Sequence, residues 1–201
     1  MKKISYILGV NVGSNLVNSG VEDLDLDEFI AGVKTVLNDE MPKISMDDGN
    51  KLFDEYMEKL NKKREEKVKK ELEEVKQKSE EYLKENAKKE GVITTKSGLQ
   101  YRVIKEGEGN NPTSHSKVKC NYEGKLVNGE VFDSSYKRGE PAEFWLNQVI
   151  PGWVEGLQLM KPGAEYEFTI PANLAYGENG VRGAIPPFAT LIFKVELLEI
   201  S

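Results

Sequence analysis

Lys117-Val118-Lys119-Cys120-Asn121-Tyr122-Glu123-Gly124-Lys125-Leu126 alternates in character, and Val127-Asn128-Gly129-Glu130 leads from it into Val131-Phe132-Asp133-Ser134-Ser135. A period of two places successive side chains on opposite faces of a strand. Asn-Gly between two such runs supplies the left-handed conformations that a tight hairpin needs. The stretch therefore reads as strand, turn and return strand, with Lys117 to Leu126 as one strand and Gly129 to Phe132 in the next. Working outward, strand-like runs recur at Gln100 to Ile104, Glu165 to Ile170 and Thr190 to Ile200. One short helix is expected from Gly152 to Met160, with Trp153, Leu157 and Met160 on one face and Pro162-Gly163 beyond its end. Five or six antiparallel strands with one helix across a face make an α+β domain, expected over residues 91–201. That length is enough to fold on its own core.

The first half of the chain differs in kind. Residues 1–45 read as two short helices forming an all-helical domain. The first, roughly Ser5 to Asn18, carries Gly9 and Gly13 on one face, where another helix could approach closely. The second has Asp25 or Asp27 as a cap and a stripe of Leu26, Phe29, Ile30, Val33, Val36 and Leu37 at helical spacing. A third helix is expected over residues 46–90, opened by Ser45 and Asp48 in a variant of the capping box. Leu52, Phe53, Tyr56, Met57 and Leu60 form an apolar face at its start, which packs on the helical domain. Beyond them, 20 of the 30 residues from 61 to 90 are charged, 11 basic and 9 acidic. Opposite charges at three- and four-residue spacing favour a solvated helix. A coiled coil is the competing reading: Val68, Leu72, Val75 and Tyr82 fit its a/d pattern, while Arg64-Glu65 and Ser79 leave gaps in the seam. A helix from residue 46 to 88 would span about 60 Å at 1.5 Å per residue.

Composition excludes several classes of function. The net charge of −6 and the mixed charges of the long helix argue against a nucleic-acid partner. Cys120 is the only cysteine, so no internal disulfide can form, and its place in a strand suggests a buried structural thiol. His115, the only histidine, lies in a polar loop without carboxylate or thiol partners, so no metal site is expected. Ile4 to Val10 is too short and too broken to span a membrane. The expectation is a cytoplasmic protein, or a periplasmic one if a natural precursor carries a signal peptide absent here.

The chemistry is sought in a set with almost no acids, bases or nucleophiles. Phe132, Asp133, Gln148-Val149-Ile150-Pro151-Gly152-Trp153, Leu174-Ala175-Tyr176-Gly177 and Ala184-Ile185-Pro186-Pro187 combine large apolar side chains with turn residues. They suit a pocket that takes an apolar ring and acts by shape and exclusion of water. Taken singly, Trp153, Phe132 and Phe193 read as core residues, and Asp133 reads as a turn former. Their joint spacing makes them a site.

That joint spacing resembles the FKBP family of peptidyl-prolyl cis-trans isomerases. Val131-Phe132-Asp133-Ser134-Ser135, Val149-Ile150-Pro151-Gly152-Trp153, Ala175-Tyr176-Gly177 and the run from Ile185 to Phe193 carry the likeness over residues 92–201. Ser5-Tyr6, Leu8-Gly9, the run from Tyr82 to Val92 and Ser97-Gly98-Leu99-Gln100-Tyr101 are similar to the bacterial Mip-like and FklB-like subgroup. The resemblance implies an antiparallel twisted sheet wrapped on one short helix. It also implies V-shaped homodimers made through the N-terminal helices, and proline-containing unfolded or partly folded polypeptides as substrates. No cofactor is implied, and a macrolide inhibitor of the FKBP class is a further expected ligand.

Carried over by position, Trp153 would be the floor beneath the proline ring. Tyr122, Phe132, Val149, Ile150 and Phe193 would be its walls. Tyr176 and the Ile150 N–H would donate hydrogen bonds to substrate carbonyls, and Asp133 would stand near Tyr122 and Arg138. Phe144, Val181 and Ile185 complete the substrate-binding set. Ala142 replaces an aromatic residue common in human-type members, and Val181 stands where some have histidine, so the rim departs from the family pattern. The expected function is an isomerase that accelerates prolyl-limited folding, with chaperone-like client binding by an N-terminal dimer. The alternative is a folding chaperone in which catalysis is secondary.

Overall fold

The structure is a computed structural model and describes residues 1–201. The chain forms two compact units, Met1–Lys69 and Lys70–Ser201. No helix is long and apolar enough to cross a membrane.

The first unit is helical. Helix α1 spans Lys2–Asn18, and α2 spans Leu26–Leu37. Asp25 caps α2, its carboxylate accepting from the N–H groups of Asp27 and Glu28 at 3.0 Å each. Neither helix has a buried residue within the chain, so the apolar stripe of α2 lies open. Helix α3 spans Met46–Asn86. The Ser45 hydroxyl caps it, accepting from the Asp48 N–H at 3.1 Å and donating to the Asp48 carboxylate at 2.7 Å. Within the first unit, Arg64 Nη2 donates to the carbonyl of Asn18 at the end of α1.

The second unit begins before the expected boundary at residue 91, because the last turns of α3 are fastened to the sheet. Ser79 and Asn86, the two buried residues of the helix, are both polar. Ser79 Oγ accepts from the Thr190 N–H at 3.0 Å. Asn86 Nδ2 donates to Gln100 Oε1 at 2.9 Å and Thr169 Oγ1 at 3.2 Å. Gln100 in turn donates to the Leu83 carbonyl. A helix expected to be solvated beyond Leu60 is therefore pinned near its C-terminal end by directional bonds. Its charged composition hides this, since Leu72, Val75, Tyr82 and Leu83 are only half-buried and the two fully covered side chains are short and polar.

Seven strands form the sheet: β1 Val92–Thr94, β2 Gln100–Lys105, β3 Lys117–Leu126, β4 Val131–Ser134, β5 Ala142–Trp145, β6 Glu165–Ile170 and β7 Leu191–Ile200. Their order is β1-β2-β6-β7-β3-β4, all neighbours are antiparallel, and β5 also pairs with β3. The short strands β1 and β5 have no alternating run of their own and exist by pairing with β2 and β3. The hairpin runs as expected through Asn128-Gly129, with Gly129 at φ 88, although its return strand starts at Val131 rather than Gly129.

Strand β3 buries every second residue, Val118, Cys120, Tyr122, Gly124 and Leu126. One edge of β3 pairs with β7 for almost its whole length, and β5 and β4 share the other. Helix α5, Pro151–Leu157, crosses the buried face; it starts one residue before the expected Gly152 and ends three before the expected Met160. Trp153, Leu157 and Met160 all face the core as expected. The close approach depends on Gly152 and Gly156: a Cβ on the first would stand 2.4 Å from Ile170, and one on the second 2.7 Å from Phe168.

Candidate active site

The core opens at one side into a cavity of about 500 Å³. Its floor is Trp153, 4% exposed, delivered by the first turn of α5. Pro151 at the start of that helix needs no N–H partner, and its ring pre-sets the helical φ. Three rings stand almost edge-on to the indole: Tyr122 at 5.2 Å and 90°, Phe193 at 5.2 Å and 84°, and Phe144 at 5.4 Å and 80°. Edge-to-face pairs set the positive rim of one ring against the negative face of another. Phe132 continues the arrangement against Phe193 at 5.5 Å and 85°. The sheet supplies these rings in register, since β3 carries Tyr122 and β4, β5 and β7 carry Phe132, Phe144 and Phe193.

Asp133, Tyr122 and Arg138 form a closed polar triangle at the cavity wall. The Tyr122 hydroxyl donates to Asp133 Oδ2 at 2.5 Å. Arg138 donates through Nη1 to Asp133 Oδ1 and through Nη2 to the Tyr122 oxygen at 2.8 Å. The guanidinium also lies over the Tyr122 ring, 5.4 Å from its centroid. Helix α4, Ser135–Arg138, brings the arginine back; Ser134 caps its start and Gly139 ends it at φ 79. Burial opposes ionisation of Asp133, but the bonds from Tyr122 and Arg138 and the guanidinium charge outweigh it and hold the carboxyl below its usual range. Burial, helped by the carboxylate, pushes the Tyr122 hydroxyl up. Neither group is poised near neutral pH as a proton carrier. The arrangement positions side chains and supplies no acid or base.

The other wall comes from two segments. Val149 and Ile150 precede α5, and the Ile150 N–H makes no backbone hydrogen bond. Tyr176, Val181 and Ile185 come from the loop between β6 and β7, where Val181 and Ile185 exchange two backbone hydrogen bonds at 2.7 and 2.8 Å. The residues expected at the site therefore stand together around one cavity, with one difference. Arg138 is not part of the lining and touches it only through Asp133 and Tyr122.

Gln148 and Ala184 also line the cavity. Both lie inside motifs that the sequence marks, but one polar and one small side chain give no signal of their own. Ser135, the last residue of the Val131–Ser135 motif, is a further contributor whose role the motif does not single out. It is fully buried, accepts from the Tyr122 N–H at 2.8 Å and so holds the backbone that carries that ring. No group of three or more possible metal ligands exists.

Comparison with known proteins agrees with this geometry. Residues 108–198 match the pattern of the FKBP-type peptidyl-prolyl cis-trans isomerase. Residues 1–103 match the domain amino terminal to FKBP-type peptidyl-prolyl isomerase. The chain belongs to the FKBP-type peptidyl-prolyl cis-trans isomerases. It is 47% identical to the FKBP-type 22 kDa peptidyl-prolyl cis-trans isomerase of Escherichia coli K12, over 98% of this chain and 93% of that protein. It is 43% identical to a probable FKBP-type isomerase, FkpA, of Neisseria meningitidis, over 100% of this chain and 75% of the relative. The crystal structure of FkpA from Escherichia coli superposes with a TM-score of 0.81 at 38% identity, covering 99% of this chain and 95% of that one. The helical N-terminal region, the long helix and the antiparallel sheet are thus family features, and the enzyme acts on proline-containing polypeptides.

Proposed function

We propose that the cavity binds a prolyl ring over Trp153 and lowers the barrier to rotation of the preceding amide by favouring its twisted form. The observation that carries this is the cavity walled by aromatic and aliphatic side chains, whose one carboxylate is already tied to Tyr122 and Arg138. Amide resonance sets a barrier of about 18–20 kcal/mol. In the twisted amide, nitrogen no longer donates into the carbonyl, so the group is less polar than in the planar form. An environment poorer than water in polar contacts therefore penalises the planar form more, and preferential binding of the twisted state accelerates rotation. A thousandfold gain needs about 4 kcal/mol. Phe132, Val149 and Phe193 hold the ring, Phe144 and Ile185 border it, and Val181 meets the flanking residues. The Ile150 N–H and the Tyr176 hydroxyl donate to substrate carbonyls. A macrolide of the FKBP class would occupy the same cavity, with the rim at Ala142 and Val181 setting its affinity.

The full chain is tested on a prolyl peptide beside Trp153→Ala. Loss of turnover in a folded variant supports the reading. Wild-type turnover in that variant refutes it.

The exposed apolar faces of α1 and α2 support a homodimer through the N-terminal helices, with Gly9 and Gly13 at its contact and unfolded clients bound alongside. Neither glycine has any heavy atom within 4 Å of a built Cβ, which leaves room for a second helix. This makes residues 1–45 a dimerisation domain and 46–90 the connecting helix, with isomerase chemistry in 91–201. A monomeric mass in light scattering at micromolar concentration would sink the dimer. A Trp153→Ala variant that still suppresses client aggregation in full would separate chaperoning from catalysis. The compartment is taken as cytoplasmic, with a periplasmic location as the alternative, and fractionation of the bacterium distinguishes them.

A further inference from the structure

The loop that carries Tyr176, Val181 and Ile185 is held at its far end by α3. Ser79 Oγ accepts from the Thr190 N–H at 3.0 Å, one residue before β7 begins. One turn earlier, the Lys76 ammonium lies 6.0 Å from the centroid of the Phe188 ring. Val75, the residue before Lys76, packs against the core of the second unit.

Phe188 is the key to what this contact reaches. It holds φ 60, a conformation that a bulky residue adopts only where its surroundings impose it. In that conformation its N–H donates to the carbonyl of Gly177 at 2.9 Å. Gly177 adjoins Tyr176, whose carbonyl accepts from the Gly180 N–H at 3.2 Å, and the Val181–Ile185 pair follows. An unbroken series of contacts therefore runs from Lys76 and Ser79, through Phe188 and Thr190, to the residues that border the cavity.

The chemistry of the attachment is also telling. A helix docked only for stability buries aliphatic side chains. This one half-buries Leu72, Val75 and Leu83, and the only residues it covers completely are a serine and an asparagine. A serine inside a helix usually bonds back to its own helix or faces water. Ser79 instead accepts from an amide of the loop. A hydrogen bond fixes distance and direction, whereas apolar contact tolerates sliding.

We propose that Ser79 and Lys76 are positioning residues for the isomerase site. The last turns of α3 hold Phe188 and Thr190, and so set where the Tyr176–Ile185 rim stands over the proline ring. Helix α3 is then part of the machinery that sets substrate affinity. The proposal rests on the reading of the cavity as the prolyl site.

The test uses the full chain and measures KM and kcat on a prolyl peptide, with amide hydrogen exchange at Val181 and Ile185. Ser79→Ala removes the acceptor. Asn86→Ala is the structural control, because it loosens the same helix at its attachment to Gln100 and Thr169, on strands outside the loop. Ser79→Ala is expected to raise KM roughly three- to tenfold and to speed exchange at both amides, while Asn86→Ala leaves both near wild type. Wild-type KM and exchange in Ser79→Ala overturn the proposal. Equal shifts in the two variants overturn it as well, since they report general loosening. Should Ser79→Ala fail to fold, Lys76→Ala on an exposed side chain decides the matter in the same two readouts. A wild type without turnover would instead strike the reading of the cavity.

Discussion

Gly124 lies where β3 passes beneath two walls of the cavity, and replacing it with alanine links packing to catalysis. Gly124 pairs with Asp133 on β4 and Phe193 on β7. A Cβ there would stand 2.6 Å from Phe193 Cε1 and 2.7 Å from Phe132 Cζ. Carbon atoms rest at about 3.5–4.0 Å, so each ring must retreat by about 1 Å. Overpacking of this kind costs about 1–3 kcal/mol, and the stiffer unfolded chain returns about 0.4–1 kcal/mol. The net loss centres near 1.3 kcal/mol, or about 3–8 °C in Tm for a domain of this size. Misplacing reactive geometry by about 1 Å can cost up to a hundredfold in rate, so kcat/KM on a prolyl peptide should fall at least about tenfold. The assay pairs thermal unfolding with turnover at 15 °C below the variant's own Tm, where the folded fraction is essentially complete. An unchanged Tm would refute the close approach of the two rings. A lowered Tm with wild-type kcat/KM would refute the claim that these rings bound the site.

The remaining expectations are simpler to state. Asp133→Asn should lower Tm at neutral pH, because the folded carboxyl is held below its usual range and stabilises the fold wherever it is ionised. That difference should persist above the unfolded value of about 3.9 and shrink as pH falls through the lower folded value; a difference constant down to pH 2 would contradict it. Cys120 is fully buried, and burial pushes its thiol up to about 12. A thiol reagent at pH 8 should label it only after denaturation, and stoichiometric labelling of native protein within minutes would show the site is open. Asn86→Ala should cost about 1–3 kcal/mol, since it strips partners from the buried Gln100 and Thr169 side chains. An unchanged unfolding midpoint in urea would mean that water replaces the lost bonds without penalty.

The long strands were legible because each has a face to bury. Lys117–Leu126 and Glu165–Ile170 come out at the bounds that alternation implies. Val92–Thr94 and Ala142–Trp145 were not, because three or four residues cannot show a period and pairing alone makes them strands. Trp153 and its neighbours had to be read together, since a tryptophan on a cavity floor and one in a sealed core obey the same pattern. Ser79 escaped altogether, and Asn86 and Ser135, though inside marked stretches, gave no hint of their roles. Each acts through one or two hydrogen bonds to a distant segment, and nothing in a local stretch of sequence marks such a bond in advance.

The order of strands also bears on how this chain is made. Strand β7 lies between β6 and β3, yet it is the last of the seven to be synthesised. When Ser134 has left the ribosome, β3 has its hairpin partner but not the strand that covers most of its length. It must wait until residues 191–200 emerge, several seconds later at about 5–20 residues per second. Until then Tyr122, Val118 and the α5 helix have no complete sheet to close over. A protein that relieves slow steps in the folding of others therefore passes through a long interval as a nascent chain with its own apolar face uncovered. The unit made first, residues 1–69, is helical and built from local contacts, so it can be in place before that interval ends.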